Sequence, residues 1–163
     1  MILCANPKAQ YLSYKSDIDN AISDVLQGSS YVLGEQVALL ERNFAKYIGT
    51  QHAIGVANGT DAIEIALRAL GIGQGDKVIT VAHSAVATVA GIEASGATPV
   101  IVDLEEDFYT LDPQLLENAI TTDVKAIIAV HIYGQASAVD QIKSFCETKN
   151  LFFIEDCAQA HGG

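Results

Sequence analysis

Short apolar runs alternate with helical patterns through most of this chain, and this alternation constrains its fold more than any other feature. The runs at residues 77–81, 98–103, 125–132 and 151–155 are almost wholly apolar, rather than apolar at every second position. Strands with that pattern are buried on both faces, which is typical of parallel sheets covered by helices. The sequence therefore predicts an α/β fold with a mainly parallel sheet flanked by helices.

Two amphipathic helices are predicted before the first of these runs. Residues 17–27 carry apolar side chains at helical spacing, with Ser16 as the N-cap and Gly28 at the end. Residues 34–48 repeat the pattern and stop at Gly49. The chain therefore begins with a helical segment.

The pattern changes after residue 50. A short strand is expected at residues 52–57, and later helices are expected at residues 61–70, 84–94 and 138–149, with another opening at Asp112 and Pro113. We accordingly divide the chain into an N-terminal helical segment, residues 1–50, and part of a larger domain, residues 51–163.

Composition limits the kind of protein this can be. The chain has 163 residues, half of them hydrophobic, so a domain of ordinary size can bury a core. The net charge of −11 argues against a nucleic-acid surface, which needs clustered lysine and arginine. We expect neither a signal peptide nor a membrane span. The cysteines Cys4, Cys146 and Cys157 are widely spaced, which favours a reducing cytoplasm and indicates neither a disulfide framework nor a metal site.

Asn58, Gly59 and Thr60 form the first turn that could carry chemistry. In parallel sheets, ligands lie beyond the carboxyl ends of the strands and near helix N-termini. A glycine lets the backbone approach a ligand closely, and free N–H groups at a helix start suit a phosphate. The alternative is plain capping, in which Asn58 or Thr60 satisfies the helix end. The turn matches neither a P-loop nor a dinucleotide-binding fingerprint, so both interpretations stay open.

Two further turns hold polar side chains where an apolar run ends. His83 is suited either to stack on a flat ring and move protons, or to pack at a layer boundary. Tyr133 and Gln135 flank Gly134 and can reach over a site, or they form only a tight turn with one aromatic core residue. Neither turn decides the function by itself.

Asp156 follows the strongly apolar run at residues 151–155, so we expect it to be partly buried. A buried carboxylate is costly unless a cation or hydrogen-bond donors satisfy it, and a protonated heterocyclic nitrogen is one such partner. Cys157 could act as a nucleophile with His161, but a small buried thiol is the commoner interpretation. Glu155 is expected to serve structure rather than catalysis.

Six segments of the chain follow one another in an order that resembles a known family. They are GSSYVLG (residues 28–34), ANGTDA (57–62), GQGDKVIT (73–80), SGATPV (95–100), VHIYGQ (130–135) and IEDCAQAHG (154–162). Together they resemble the DegT/DnrJ/EryC1/StrS family of pyridoxal phosphate (PLP)-dependent nucleotide-sugar aminotransferases. The resemblance implies the N-terminal part of the large domain of the type I aspartate-aminotransferase fold.

The resemblance also implies roles for matched residues. Gly59 and Thr60 would hold the cofactor phosphate. Asp156 would bind the protonated pyridine nitrogen, which keeps the ring cationic and able to act as an electron sink. Gln159, one helical turn on, would lie at the phenolic oxygen or the face of the ring.

Two departures from the family pattern bear on function. Many relatives carry an aromatic residue at the position of Ala85, stacked over the ring, so His83 becomes the candidate for cofactor contact. The run HSAVAT, residues 83–88, resembles the subgroup that acts at C3 of dTDP-linked 3-keto-6-deoxyhexoses. In the family, the lysine that forms the Schiff base follows the Asp-x-x-Gln motif, and no lysine here matches it. We therefore expect that lysine and the small C-terminal domain to lie beyond Gly163, and this chain to be an inactive fragment.

The function that the resemblance implies is transamination of a nucleotide-linked keto sugar with glutamate as the amino donor. Its product would serve cell-surface polysaccharide or secondary-metabolite synthesis. Family members are dimers, and residues 28–34, with Tyr31, are where contact with a partner subunit is expected. One alternative is a sugar dehydratase of the same family, in which histidine replaces the lysine. Another is a non-catalytic fragment or regulatory paralogue that pairs with a full-length partner.

Overall fold

The computed structural model of the chain describes residues 5–162, which form two compact units divided in the sequence after Gly55. The helices are α1 (Pro7–Ser13), α2 (Lys15–Gln27), α3 (Glu35–Ile48), α4 (Gly59–Ala69), α5 (Val86–Ser95), α6 (Leu116–Ala119) and α7 (Val139–Lys149). The strands are β1 (Lys77–Val81), β2 (Thr98–Val102), β3 (Val124–Val130) and β4 (Phe152–Asp156). None of the described helices is both long and apolar enough to span a membrane.

The first unit begins differently from the sequence prediction. A helix that was not predicted, α1, starts where the Asn6 side chain accepts a hydrogen bond from the Ala9 N–H. Tyr14 occupies both the C-cap position of α1 and the N-cap position of α2, and its side chain makes no capping hydrogen bond to α2. The prediction of Ser16 as the N-cap is wrong, because α2 already begins at Lys15 and Ser16 lies inside it. The predicted ends hold: Gly28 follows α2, and Gly49 ends α3 in the left-handed region that favours glycine.

The strand predicted at residues 52–57 is wrong, because these residues are irregular. The Gly55 N–H donates to Glu41 Oε1 of α3 at 2.8 Å, and the Ile54 side chain is largely exposed. A strand needs a neighbour to satisfy its backbone groups. None of the four strands of the described sheet pairs with this segment, so its polar groups bond locally instead.

The second unit is built on a sheet of four parallel strands in the order β2-β1-β3-β4. β3, one of the two inner strands, is buried at every position except Lys125. α5 packs against β1 and β2, while α7 packs against β3 and β4. The prediction of an α/β fold with a parallel sheet flanked by helices is therefore confirmed.

Parallel pairing brings the carboxyl ends of all four strands to one edge of the sheet. The register pairs Val81 of β1 with Val102 of β2, and Val130 of β3 with Asp156 of β4. The turns that leave β1, β3 and β4 consequently begin side by side. This edge is where the sequence places its candidate site residues.

α4 begins at Gly59 rather than at residue 61, so Gly59 and Thr60 lie in the first turn of the helix and not in a turn before it. Two further predicted helices differ in extent from those observed. α5 begins at Val86 rather than at residue 84, which leaves His83, Ser84 and Ala85 in the turn after β1. The helix predicted from residue 112 is a 3-10 turn, Pro113–Leu115, followed by the single turn of α6. Both differences leave more of the carboxyl edge to irregular backbone.

Cys146 lies on the face of α7 that enters the hydrophobic core, and it is almost fully buried. Burial raises the pKa of its thiol to about 11, with a smaller contribution from the Glu147 carboxylate. The folded protein therefore keeps the thiol neutral at pH values where an unfolded chain ionises it.

We expect this thiol to make stability fall in alkaline solution. The contribution is complete below about pH 9 and is lost as the pH rises toward about 11, because only the unfolded thiol ionises in that window. Urea unfolding at about pH 8 and about pH 10.5 should show a loss about 2 kcal/mol larger for the unsubstituted protein than for Cys146→Ala. An equal loss in both proteins would contradict the burial argument.

Candidate functional site

Asp156 ends β4 at the carboxyl edge and is half-buried. The Thr88 hydroxyl, in the first turn of α5, donates to Asp156 Oδ2 at 3.1 Å, and the Ala158 N–H donates to Oδ1 at 3.2 Å. The Ser84 hydroxyl lies 2.8 Å from Thr88 Oγ1. Because the single Thr88 proton is directed to Asp156, Ser84 must donate to Thr88. The carboxylate is thus oriented through both oxygens, and each oxygen can still accept another donor.

The sequence prediction placed Asp156 correctly as a partly buried residue but missed Ser84 and Thr88. These two hydroxyl residues are four positions apart across the start of α5, with Ser84 in the turn before the helix and Thr88 in its first turn. That spacing was the available signal. Their partner could not be read from it, because Thr88 and Asp156 are 68 positions apart in the chain.

A second set of contacts joins the turns that follow β1, β3 and β4. The Tyr133 N–H donates to Gln159 Oε1 at 2.6 Å, and the His83 and Tyr133 rings lie 5.6 Å apart with their planes tilted by 59°. Tyr133 and Gly134 both have a positive φ, of 56° and 84°. A Cβ atom on Gly134 would lie 3.3 Å from the Gln159 carbonyl oxygen, so a side chain there would crowd the turn. The structure therefore brings His83, Tyr133 and Gln159 together.

Gln159 reaches this position by a turn and not by a helix. The segment after β4 forms tight turns, in which the Ala160 N–H donates to the Cys157 carbonyl at 2.9 Å. The expectation that Gln159 lies one helical turn after Asp156 is therefore wrong. The side-chain amide is positioned by its bond to Tyr133 instead.

The amino end of α4 has the features of both interpretations of its sequence, helix capping and anion binding. Asn58 Oδ1 accepts from the Asp61 N–H at 2.9 Å, so the capping interpretation is confirmed for Asn58. Within residues 5–162, the N–H groups of Gly59 and Thr60 donate to no protein group. A Cβ atom on Gly59 would meet nothing within 4 Å. Two N–H groups at the positive end of an eleven-residue helix are thus without a protein acceptor among the described residues, and the space beside Gly59 is open.

Gly91 connects this helix end to the carboxylate site. A Cβ atom on Gly91 would lie 2.8 Å from Ile63 Cβ and 2.9 Å from the Thr60 carbonyl oxygen of α4. α4 and α5 therefore cross at backbone contact. α5 also carries Thr88, whose hydroxyl donates to Asp156. The contact at Gly91 therefore links the position of Thr60, at the amino end of α4, to the position of Thr88.

His131 is a buried polar residue whose position the sequence did not predict. Its Nε2 lies 3.0 Å from Glu155 Oε2, and its Nδ1 lies 3.1 Å from the Ser137 backbone nitrogen, which donates to it. The Ser137 hydroxyl donates to the Val130 carbonyl at 3.1 Å. Glu155, expected to serve structure, is therefore the partner of a buried ring. No local pattern indicated this pair, because its members are 24 positions apart, His131 directly after β3 and Glu155 in β4.

The interpretation of Cys157 as an ordinary thiol is favoured over that of a nucleophile. Burial raises the pKa of the Cys157 thiol, and the carboxylates of Glu155 and Asp156 raise it further. His161 contacts the Cys157 carbonyl oxygen at 3.1 Å rather than supplying a base to the thiol. The ligand atoms of Cys157, Glu155 and His131 all lie within 4.8 Å of one another, a grouping that a metal ion could also use.

Three lysines of the second unit lie at the opposite, amino edge of the sheet. Lys77 begins β1 and contacts Asp123, Lys125 is the second residue of β3, and Lys149 ends α7. In a parallel sheet this edge is separated from Asp156 by the full length of the strands. These lysines therefore cannot reach the carboxyl edge.

The chain resembles characterised proteins along nearly its whole length. The DegT/DnrJ/EryC1/StrS aminotransferase family matches residues 13–163. The dTDP-3-amino-3,4,6-trideoxy-alpha-D-glucose transaminase of Streptomyces venezuelae is 44% identical over 155 residues, a match that covers 95% of this chain and 41% of that protein. The chain thus spans less than half the length of this curated relative.

Solved structures show the same relationship. DesV from S. venezuelae, in complex with a ketimine intermediate, matches with a TM-score of 0.94 at 43% identity, over 96% of this chain and 42% of that one. NtdA from Bacillus subtilis, with bound cofactor PMP, matches with a TM-score of 0.89 at 35% identity, over 92% of this chain and 34% of that one. The resemblance inferred from the sequence is confirmed. This chain belongs to the DegT/DnrJ/EryC1/StrS aminotransferase family.

Proposed function

We propose that this chain forms the PLP-holding part of a nucleotide-sugar aminotransferase. Its family consists of PLP-dependent sugar aminotransferases, and the related structure of NtdA holds PMP. The observation that carries the proposal is the Asp156 carboxylate, which Thr88 and Ala158 orient at the carboxyl edge of the sheet. When bound there, PLP supplies the electron sink that amino-group transfer requires.

The amino end of α4 fits the phosphate of the cofactor. The N–H groups of Gly59 and Thr60 donate to no protein group among the described residues, and the space beside Gly59 is open. A helix N-terminus stabilises an anion through such N–H groups and through its dipole. We assign Gly59 and Thr60 to the phosphate, with the Thr60 hydroxyl as a further donor.

The carboxyl edge fits the ring of the cofactor. Asp156 is assigned to the pyridine nitrogen, because each of its oxygens can accept one more donor and a protonated nitrogen is such a donor. Gln159 is assigned to the neighbourhood of the phenolic oxygen, where its amide N–H groups are available while Oε1 accepts from Tyr133. His83, supported by the Tyr133 ring, is assigned to the ring face that an aromatic residue covers in many relatives.

The remaining parts of the proposal concern the whole enzyme. The covalent lysine is assigned to the length of the relatives that this chain does not span, since no lysine here matches the family position. Lys77, Lys125 and Lys149 lie at the amino edge, and Lys143 is exposed on α7. The acceptor is a nucleotide-linked keto sugar, for which the S. venezuelae relative suggests a dTDP-linked deoxyhexose. Glutamate is the amino donor. A homodimer is the working form, and the exposed Tyr31 is assigned to contact with the partner subunit. The three widely spaced cysteines favour a cytoplasmic setting.

The cofactor assignment predicts that binding depends on the phosphate. We expect the purified protein to bind PLP at least about 100-fold more tightly than pyridoxal, because pyridoxal leaves the N–H groups of α4 without an anion. Absorbance titration with each compound measures the difference. Thr60→Val should reduce the preference, and Thr148→Val, on an exposed turn of α7, is the matched control. Equal affinity for both compounds would mean that the phosphate contributes nothing to binding, which contradicts its assignment to α4.

Amino transfer tests the substrate part of the same proposal. The full-length protein is supplied with glutamate and a dTDP-linked 3-keto-6-deoxyhexose, and 2-oxoglutarate is measured. We expect 2-oxoglutarate to form only when the keto sugar is present. Formation of a dehydrated sugar without 2-oxoglutarate would instead identify a dehydratase.

A further inference from the structure

His131 forms the central link between the two turns that carry the proposed ring-holding residues. Its backbone N–H donates to the Asp156 carbonyl at 3.1 Å, while its ring contacts Glu155, the residue before Asp156. Two positions later, the Tyr133 N–H holds Gln159. The turn after β3 is therefore bonded at three places to the end of β4 and the turn that follows it, and two of these bonds belong to His131.

The hydrogen bonds of His131 determine where its ring carries a proton. A backbone N–H can only donate, so the bond from Ser137 requires a lone pair on Nδ1. A neutral ring with a lone pair on Nδ1 carries its hydrogen on Nε2. Nε2 therefore donates to the Glu155 carboxylate at 3.0 Å. The His131 side chain is 5% exposed, so losing either bond would leave a buried polar atom without a partner.

We propose that His131, held as the Nε2-protonated tautomer by the Ser137 amide, is a positioning residue that sets Asp156 and Gln159 for the cofactor ring. The proposal rests on the proposed function, because it assigns His131 a task toward PLP. It needs no contact between His131 and the cofactor. The Glu155 bond fixes the end of β4, and the backbone continues directly into Asp156.

The same tautomer argues against the metal site that the neighbouring side chains suggest. A metal ion would need the lone pair of Nε2, but the Ser137 N–H already occupies the lone pair of Nδ1. Metal binding at Nε2 would therefore require the ring to break its bond to Ser137 or to lose its last proton. When Nε2 is protonated and donates to Glu155, the ring keeps its hydrogen bonds to both Glu155 and Ser137 and loses no proton.

Two substitutions at His131 each keep one of the ring's two hydrogen bonds, to Ser137 or to Glu155, and remove the other. Glutamine can extend an amide N–H to the place of Nε2, so His131→Gln keeps a donor for Glu155. Asparagine places an oxygen near Nδ1, so His131→Asn accepts from Ser137 but cannot reach Glu155. We expect PLP affinity to fall about 10- to 100-fold in His131→Asn, the range typical for loss of a supporting residue, and by less than about threefold in His131→Gln. His52→Gln, at an exposed position of the first unit, is the matched control.

A purely structural role predicts a different result. Both variants would then lose similar thermal stability, and PLP affinity would follow stability rather than the presence of a Glu155 donor. Equal affinities for His131→Gln and His131→Asn would overturn the proposal. If PLP binds to the unsubstituted protein but Asp156→Asn leaves its affinity unchanged, the proposed function fails, and the positioning role fails with it.

The tautomer can be measured without any cofactor. A long-range proton–nitrogen NMR spectrum of the histidine-labelled protein distinguishes Nε2–H from Nδ1–H rings. The chain has four histidines, so substitutions of His52, His83 and His161 identify the His131 signal by elimination. We expect the Nε2–H pattern for His131, unchanged by added Zn²⁺. An Nδ1–H pattern, or a shift of Nε2 to the values of a metal-bound nitrogen, would overturn the proposal even if neither variant folds.

Discussion

Asp156→Asn is expected to weaken PLP binding by about 10- to 100-fold, the loss that corresponds to a hydrogen bond with a charged partner. Asparagine keeps the shape of the side chain, and its oxygen can still accept from Thr88 or Ala158. It has no negative charge to offer a protonated ring nitrogen. The fold should consequently change little while cofactor affinity falls.

Absorbance titration with PLP measures the loss, and urea unfolding shows that the fold is retained. Asp140→Asn is the matched control, because Asp140 is an exposed aspartate in the first turn of α7. Its substitution removes the same charge from the same unit. We expect its PLP affinity to match that of the unsubstituted protein. Similar losses in both variants would mean that only the net charge matters, which contradicts the assignment of Asp156.

Gly91→Val is expected to destabilise the second unit by about 3 kcal/mol, a typical cost of overpacking a tight contact. A Cβ atom at this position would lie 2.8 Å from Ile63 Cβ and 2.9 Å from the Thr60 carbonyl, and neither neighbour is the free end of a flexible side chain. α4 must therefore move away from α5. Because Thr60 is part of that contact, PLP affinity should fall together with stability.

Gly59→Ala provides the contrast, because both positions are helical glycines with opposite surroundings. Nothing lies within 4 Å of a Cβ atom at Gly59, so the stability should stay within about 0.5 kcal/mol of the unsubstituted protein. The added methyl group enters the space assigned to the phosphate, so PLP affinity should fall about tenfold. Urea unfolding and PLP titration of both variants test the pair. Unchanged PLP affinity in Gly59→Ala would remove the phosphate from this helix end.

The elements of the sheet were predictable because their signal is local. The apolar runs match β1 to β4 to within one or two residues at each end. A strand that is buried on both faces carries apolar residues at nearly every position, so a short stretch of sequence is enough to predict it. The segment at residues 52–57 has a similar short apolar character but pairs with no strand in the part of the chain that the structure describes, which a local pattern cannot reveal. Ser16 failed as a cap for a related reason, because α1 lies immediately before it.

The order of the strands and the contacts between turns were decided by the tertiary structure. The sheet order β2-β1-β3-β4 differs from the chain order, and it places β3 beside β4, where His131 meets Glu155. Thr88 reaches Asp156 only because α5 begins at the same edge where β4 ends.

The sequence by itself determined an α/β fold, the family, and the turns that contain Gly59, His83 and Asp156. Those features depend on residue type and spacing within short segments. The tertiary structure decided which donors orient Asp156, where the protons of His131 lie, and that Gln159 is held by Tyr133. The physical reason is that a side-chain hydrogen bond depends on the distance and direction between two atoms, and register and helix crossing fix these for residues far apart in the chain.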